Sequence, residues 1–357
     1  MKLENKVLVT AQPEFMEAAL HELRRFDNNM KIDTLLAPDI ALCEASDVVH
    51  LMRQAAGQRP VFARHLAPVQ TVVPLSNSEN DVGALAVAIA DLPTFALLER
   101  GQRFAVQARF AQSGEHGMSI KHVYGTGYLN QQLALAFAEE TGALESIKKP
   151  QIVISLLCAG MKAYVGISLA RENLSDWPGG MRHFAQLPEQ ISRAEFKLLE
   201  ALEVFGVSLP EQGEALDLGA APGGWTRLLL EAGMHVVAVD PARLDERLGG
   251  RLQHYRGYAE DYLQDALNRR QKFDVITNDM RMDAREAARL LVEASPCLRA
   301  DGFIISTLKL PHAAIGVDPL RNLREALRLL ERQFAVVQAK QLFHNRQEIT
   351  VIAAQPQ

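Results

Sequence analysis

The run ALDLGAAPGGWTRLLLEAGMHVVAVD, residues 215–240, constrains the fold of this 357-residue chain more than any other stretch. Ala215 to Leu218 reads as a short buried strand, and the loop Gly219-Ala220-Ala221-Pro222-Gly223-Gly224 follows it. Trp225 to Glu231 begins a helix with a long apolar face, and Met234 to Val239 is a second strand that stops at Asp240. This is a βαβ unit with a glycine turn at the carboxyl end of its first strand, where open α/β sheets bind ligands.

The spacing argues against a nicotinamide or flavin site. A dinucleotide turn needs G-x-G-x-x-G so that backbone can close on a pyrophosphate. Here the pattern is Asp217-x-Gly219-x-x-x-Gly223-Gly224, and Pro222 removes an N–H group that a phosphate would want. An acidic Asp217 two positions before the first glycine suits a cationic ligand, and Asp240 would meet a ribose diol. A ligand with an amino group, a sulfonium and a ribose but no phosphate fits, namely S-adenosylmethionine. The competing reading is an ordinary tight turn that binds nothing.

The rest of the C-terminal half keeps alternating. After a stretch of low apolar content come Phe273–Thr277 as a strand, Ala284–Leu298 as a helix, Phe303–Leu308 as a strand and Leu320–Phe334 as a helix. Ala335–Leu342 and Ile349–Ala354 then close the chain as two strands joined by a short polar turn. Such alternation means a doubly wound α/β sheet. The final hairpin puts one antiparallel strand at its end, as in the class I (Rossmann-like) methyltransferases.

The first 171 residues read instead as an α+β domain without a nucleotide loop, with a helix at Phe15–Phe26, a strand at Gln102–Phe110, a helix at Tyr128–Thr141 and a hairpin across Ile152–Leu169. A turn-rich linker over 172–190 contains Asp176-Trp177-Pro178-Gly179-Gly180, and the catalytic domain is expected over 191–357. No apolar run approaches the ~20 residues that span a bilayer. The start MKLENKVLVT lacks a signal-peptide layout, and Cys43, Cys158 and Cys297 are sparse and match no metal spacing. The expectation is a cytoplasmic protein with reduced thiols, no metal and no membrane partner.

Net charge is −5, with 17 basic and 20 acidic residues in 1–190 and 21 and 23 in 191–357. Neither half is a basic module, so a nucleic-acid partner would need a local positive surface. The stretch SIKHVYGTGY, with Lys121, His122 and Tyr124, is one exposed-looking candidate.

Asp279 follows a strand at the edge where the ligand should lie. "NDMRM" has neither the proline nor the aromatic residue that amine methylation favours, and no cysteine stands ready to attack a pyrimidine. A hydroxyl acceptor is left, and it needs a general base. Lys309 ends a buried strand, where lost solvation and a nearby Lys197 would lower its pKa toward the useful range. Asp279 and Glu348 would orient the ammonium groups. Taken singly, Lys309 is equally a snorkelling strand-end lysine, Lys197 a surface lysine and Glu348 a hairpin residue.

In order along the chain, "SRAEFKL", "LDLGAAPGGWT", "NDM", "LKLP" and "RQEITV" resemble the FtsJ-type 2′-O-ribose RNA methyltransferases. "LVTAQPEFMEAALHEL" resembles the opening of THUMP-containing RNA methyltransferases, and the combination is similar to enzymes that methylate a ribose of large-subunit ribosomal RNA. The resemblance implies a catalytic tetrad of Lys197, Asp279, Lys309 and Glu348. It implies that Gly219, Ala221, Pro222, Gly223, Gly224 and Trp225 line the methionine end of S-adenosylmethionine. Asp240 would take the ribose hydroxyls, Asp261 the adenine amine, and Asp279 would contact cofactor and acceptor, with Ser192 reaching in from the preceding segment. It implies RNA, in the form of a large-subunit ribosomal precursor, as partner. Two other readings stay open at this point, a small-molecule O-methyltransferase and a methyltransferase-fold RNA-binding or assembly factor without turnover.

Overall fold

The computed structural model describes residues 3, 5–112, 121–311 and 318–357. The chain divides into two compact units, Met1–Arg182 and His183–Gln357.

In the first unit the elements are β1 (Lys6–Thr10), α1 (Met16–Leu23), β2 (Lys31–Ala37), β3 (Ile40–Glu44), α2 (Val48–Gln58), β4 (His65–Val69), β5 (Thr71–Pro74), α3 (Asn80–Ala90), β6 (Arg103–Phe110), α4 (Thr126–Thr141), β7 (Leu144–Glu145), β8 (Ile152–Ala159) and β9 (Lys162–Leu169). They build a four-stranded sheet ordered β2-β3-β1-β4 and a five-stranded sheet ordered β5-β9-β8-β6-β7. One core joins the two sheets, with Leu8, Leu42 and Val69 of the first meeting Leu157 and Tyr164 of the second. A second core places α3 and α4 on the five-stranded sheet through Leu85, Ile89, Leu133 and Phe137. Helix α1 is shorter than the expected Phe15–Phe26, because Pro13–Phe15 forms a separate 3₁₀ turn before it. Tyr124 is buried and its hydroxyl donates to Asp81, so it belongs to the core and not to an exposed RNA-facing patch. Ser119 and Ile120 of that candidate patch lie outside the described residues.

The second unit contains α5 (Glu195–Phe205), β10 (Glu214–Leu218), α6 (Gly224–Glu231), β11 (His235–Val239), β12 (Leu252–Tyr255), α7 (Ala259–Asn268), β13 (Phe273–Asn278), α8 (Ala284–Ala294), β14 (Leu298–Lys309), α9 (Pro319–Gln333), β15 (Phe334–Lys340) and β16 (Glu348–Pro356). Its seven strands are ordered β12-β11-β10-β13-β14-β16-β15. Every pairing from β12 to β14 is parallel, and β16 runs antiparallel to both its neighbours. This is the class I α/β architecture with its inserted antiparallel strand. The central strands are apolar throughout because a parallel sheet is covered on both faces, and Leu216, Val237, Ile276 and Ile304 are fully buried.

Two boundaries differ from the sequence expectation. Helix α8 ends at Ala294, and Ser295-Pro296-Cys297 turns the chain so that Leu298 begins β14 instead of ending the helix. A proline cannot continue the helical hydrogen bonds, so the strand starts early. Strand β12, LQHY, is short, half-exposed and on the sheet edge, where no apolar run announces it. Both α8 and α9 begin with an aspartate whose side chain accepts a backbone N–H of the first turn, Asp283 from Arg285 and Asp318 from Leu320. No helix among the described residues is long and apolar enough to cross a membrane.

Candidate active site

The carboxyl ends of β10, β13 and β14 converge, and each delivers part of the site. Register sets the arrangement. Leu218 pairs with Asn278 and Asn278 with Ser306, so β10 and β13 end level while β14 runs three residues further, to Lys309. Asn278 is fully buried, its amide donates to Ser306 Oγ at 3.0 Å and its carbonyl oxygen accepts the Met280 N–H at 3.1 Å. Those bonds fix the turn that carries Asp279.

The four tetrad candidates meet there. Lys197 Nζ lies 3.1 Å from Asp279 Oδ2 and 2.8 Å from Glu348 Oε1. Lys309 Nζ lies 2.7 Å from Asp279 Oδ1 and also contacts Glu348 Oε2. Two ammonium groups therefore alternate with two carboxylates in a closed ring. The side chains are 8–24 % exposed, so each charge is partly desolvated and the pairs offset that cost for one another. Burial pushes the Asp279 carboxyl up, but Lys309 and Lys197 more than reverse this and hold it below the usual carboxylate range. Burial likewise pulls Lys197 down, yet Asp279 and Glu348 leave it above the ordinary lysine value. The lowered pKa expected for a buried lysine is therefore not what the ring gives Lys197. Carboxylates stand between the two cations, and attraction to them outweighs the repulsion.

Two contributors to the ring carry no sequence signal of their own. Thr307 is fully buried, donates to Asp279 Oδ1 at 2.6 Å and accepts from Lys309 Nζ at 2.9 Å. Glu200, one turn after Lys197 on α5, is buried and accepts the N–H groups of Phe343 at 2.8 Å and His344 at 3.0 Å. It clamps the turn that leads into Glu348. A strand threonine looks like ordinary β-propensity, and a helix glutamate looks like a solvated charge. The i, i+3 spacing of Lys197 and Glu200, which puts both on one helix face, is the one available hint.

Beside the ring lies the glycine loop. Gly219 has a positive φ of 72°, and a Cβ there would collide with Met280 Cγ. Gly223 caps α6 at φ 113°, and a Cβ there would strike Leu248. Backbone thus approaches closely on both flanks of Ala221 and Pro222. The first N–H groups of α6 have no partner within the helix. Asp240 sits past β11, with Oδ2 accepting the Ala221 N–H at 3.1 Å and Oδ1 the Ala242 N–H at 2.8 Å. Asp261 is exposed in the first turn of α7. Ser192 packs against Gly224, and its buried Oγ has no hydrogen-bond partner. These residues fit S-adenosylmethionine. An orphaned buried hydroxyl at Ser192 and a fixed carboxylate at the second strand's end flank the loop.

Two expected side chains point elsewhere. The Trp225 indole is buried among Leu198, Ala201 and Leu228 and donates to the Ala194 carbonyl at 2.7 Å, so it packs α6 against α5 and does not line the loop. Its apolar area is better hidden in that layer than beside a polar ligand. Asp217 does not face a cation either. It is buried beneath the loop, accepting from Thr226 Oγ1 at 2.6 Å and Thr277 Oγ1 at 2.8 Å, and burial pushes its carboxyl up to about 6.

Residues 190–347 match the model of the FtsJ-like methyltransferase family. The chain is 31 % identical over 277 residues to the ribosomal RNA large subunit methyltransferase M of Xanthomonas oryzae pv. oryzae strain MAFF 311018, covering 73 % of this chain and 75 % of that protein. It is 33 % identical over 222 residues to the protein of the same name from Shewanella sp. strain W3-18-1, covering 58 % of this chain and 59 % of that one. Among solved structures, TrmN from Thermus thermophilus overlays at a TM-score of 0.40 with 19 % identity, over 98 % of this chain and 99 % of that one.

Proposed function

The chain belongs to the FtsJ-like methyltransferase family and takes its methyl group from S-adenosylmethionine, and we propose that the acceptor is a ribose 2′-hydroxyl of large-subunit ribosomal RNA. The observation that carries the acceptor chemistry is the ring of Lys197, Asp279, Lys309 and Glu348 beside the glycine loop. A ring of fixed charges with a lysine at its mouth suits a hydroxyl that must lose a proton.

Bound at the loop, S-adenosylmethionine would supply a methyl group activated as a sulfonium, with a neutral thioether as leaving group. The chain's own residues handle position and the proton. Backbone at Gly219–Gly224, the Ser192 hydroxyl and the Asp240 carboxylate hold the donor, with Asp261 at the adenine end. Lys309 Nζ has three N–H groups as an ammonium, and Asp279, Thr307 and Glu348 accept all three. In its neutral form it keeps two N–H bonds, to the Asp279 and Glu348 carboxylates, and releases Thr307, so that its lone pair turns to the acceptor and takes the 2′-hydroxyl proton. Lys197 stays charged, so before transfer the ring holds one uncompensated negative charge, and proton uptake by Lys309 cancels it. Stabilisation therefore grows as the reaction proceeds, which is the kind that accelerates it. Alignment of oxygen, methyl carbon and sulfur supplies much of the remainder.

On the same reading residues 1–171 are a THUMP-like RNA-binding domain, joined by a linker over 172–190 to the catalytic domain at 191–357. The substrate form is a large-subunit precursor and the compartment the cytoplasm. The test is transfer of labelled methyl from S-adenosylmethionine to large-subunit RNA, compared with transfer to a small phenolic acceptor. Label in RNA recovered as 2′-O-methyl nucleoside supports the reading. Label in the small acceptor alone overturns it.

A further inference from the structure

Helix α9 carries four arginines, and all four stand on its solvent face. Arg321, Arg324, Arg328 and Arg332 are exposed, whereas Asn322, Leu323, Ala326 and Leu330 are buried against the sheet. At ~100° per residue the four guanidinium groups fall within about 80° of arc, and they span about 16 Å along the axis. Arg321 is tied to Glu325 at 3.0 Å. Among the described residues no carboxylate lies within ion-pair range of Arg324, Arg328 or Arg332, although Glu331 is a near neighbour in the chain.

The position of this stripe is as telling as its charge. Helices α8 and α9 lie side by side, and both begin at the catalytic edge. Asp283, four residues after Asp279, accepts from Asn322 at 2.6 Å, and Arg285 reaches Glu325 at 3.3 Å. Arg281, two residues after Asp279, is also exposed and has no carboxylate partner among the described residues. Arg281 and the start of α9 thus both lie at the catalytic edge, and the α9 arginines lead away from it. Residues 191–357 hold 21 basic and 23 acidic side chains, so this is a local concentration and not the spill-over of a basic domain.

We infer that the α9 arginine stripe binds the phosphate backbone of the RNA strand that leaves the active site. This rests on the RNA reading above and adds to it where the catalytic unit grips its substrate. Every member of the stripe is arginine, whose planar fork matches phosphate oxygens in pairs, whereas a stripe that only kept the helix soluble would do as well with lysine. Unpaired cations gain most from a dense polyanion through release of its counterions.

The test uses the full-length chain with Arg324→Gln, Arg328→Gln and Arg332→Gln together, glutamine being a comparable helix former. The probe is a transcript of large-subunit ribosomal RNA, titrated across a salt series. The dependence of log affinity on log salt should become shallower by roughly 2–3, at about 0.7–0.9 for each lost phosphate contact. Affinity for S-adenosylmethionine, measured by calorimetry, should stay unchanged and so certify the fold. If the triple variant fails that control, Arg328→Gln alone should lower the slope by about 0.7–0.9. RNA affinity and slope equal to wild type in a folded variant would overturn the inference and point to an acidic protein surface or plain solvation. Wild type that transfers methyl groups to RNA while the variant binds normally sinks the stripe alone. Wild type that never methylates RNA sinks the function itself.

Discussion

Lys309 and Glu348 stand opposite one another in the antiparallel register of β14 and β16, so the last residue of one strand meets the first of the other. Strand pairing, and not a flexible side-chain search, sets that contact. Antiparallel insertion of β16 is what brings a carboxylate to a strand end at which parallel neighbours would offer only loops.

Replacing Lys309 by alanine should therefore remove nearly all turnover, with about 10²–10⁴-fold lost from the base alone. Affinity for S-adenosylmethionine should hold, because the ammonium touches Asp279, Thr307 and Glu348 and not the glycine loop. Lys309→Arg should fail almost as badly, since a guanidinium keeps its proton. Single-turnover rates decide this, and an arginine variant that keeps most of the rate would assign lysine to positioning only.

The ring also sets a stability window in pH. Asp279 is held below its ordinary value, so its contribution is present above the unfolded carboxyl range and is lost as pH falls through the depressed folded value. Lys197 is raised above 10.5, so its contribution is present below that value and fades only as pH climbs through the raised one. Asp279→Asn should accordingly destabilise at neutral pH, and the gap from wild type should narrow as pH drops below about 4. Urea midpoints across a pH series measure it. A gap independent of pH would mean the loss is steric.

Asp217 should behave in the opposite sense. Its folded pKa of about 6 lies above the unfolded 3.8, so folding takes up a proton between those values and stability declines as pH rises through them. Asp217→Asn should lack that decline, gaining on wild type from pH 4 to pH 6 while the two hydroxyl partners turn to suit the amide. Parallel stability curves for variant and wild type would contradict a buried, titrating carboxyl.

At the donor site, Gly224→Ala should weaken S-adenosylmethionine binding, because the new methyl group would occupy the space of Ser192 Oγ. Asp240→Ala should weaken it as well, by freeing the Ala221 N–H that the carboxylate now fixes. Calorimetry on both variants checks this, and NADH binding in place of S-adenosylmethionine would overturn the reading of the loop.

What the sequence discloses follows from physics that is local. The alternation of β10, α6 and β11 is legible because apolar runs, a glycine loop and a strand-end aspartate sit within one continuous stretch. Asp279 and Lys309 are legible as strand-end residues of the same sheet. Their meeting with Lys197 is not, because 82 residues separate Lys197 from Asp279 and only the packing of α5 closes that gap. Family resemblance supplies that link. The inward turn of Trp225 is invisible too, since an aromatic residue opening a helix serves a ligand or a core equally well until its neighbours are known. Thr307 and Glu200 are hidden for the same reason, their roles being set by what the fold places beside them.

Ribose methylation by Lys309 is tested most directly by mapping 2′-O-methyl positions in large-subunit ribosomal RNA from cells with and without this protein, with the Lys309→Ala chain as a third sample. One ribose methyl mark is expected that is present with the wild-type chain, absent without it and not restored by Lys309→Ala. Identical maps in all three samples, or a mark restored in full by Lys309→Ala, would contradict it.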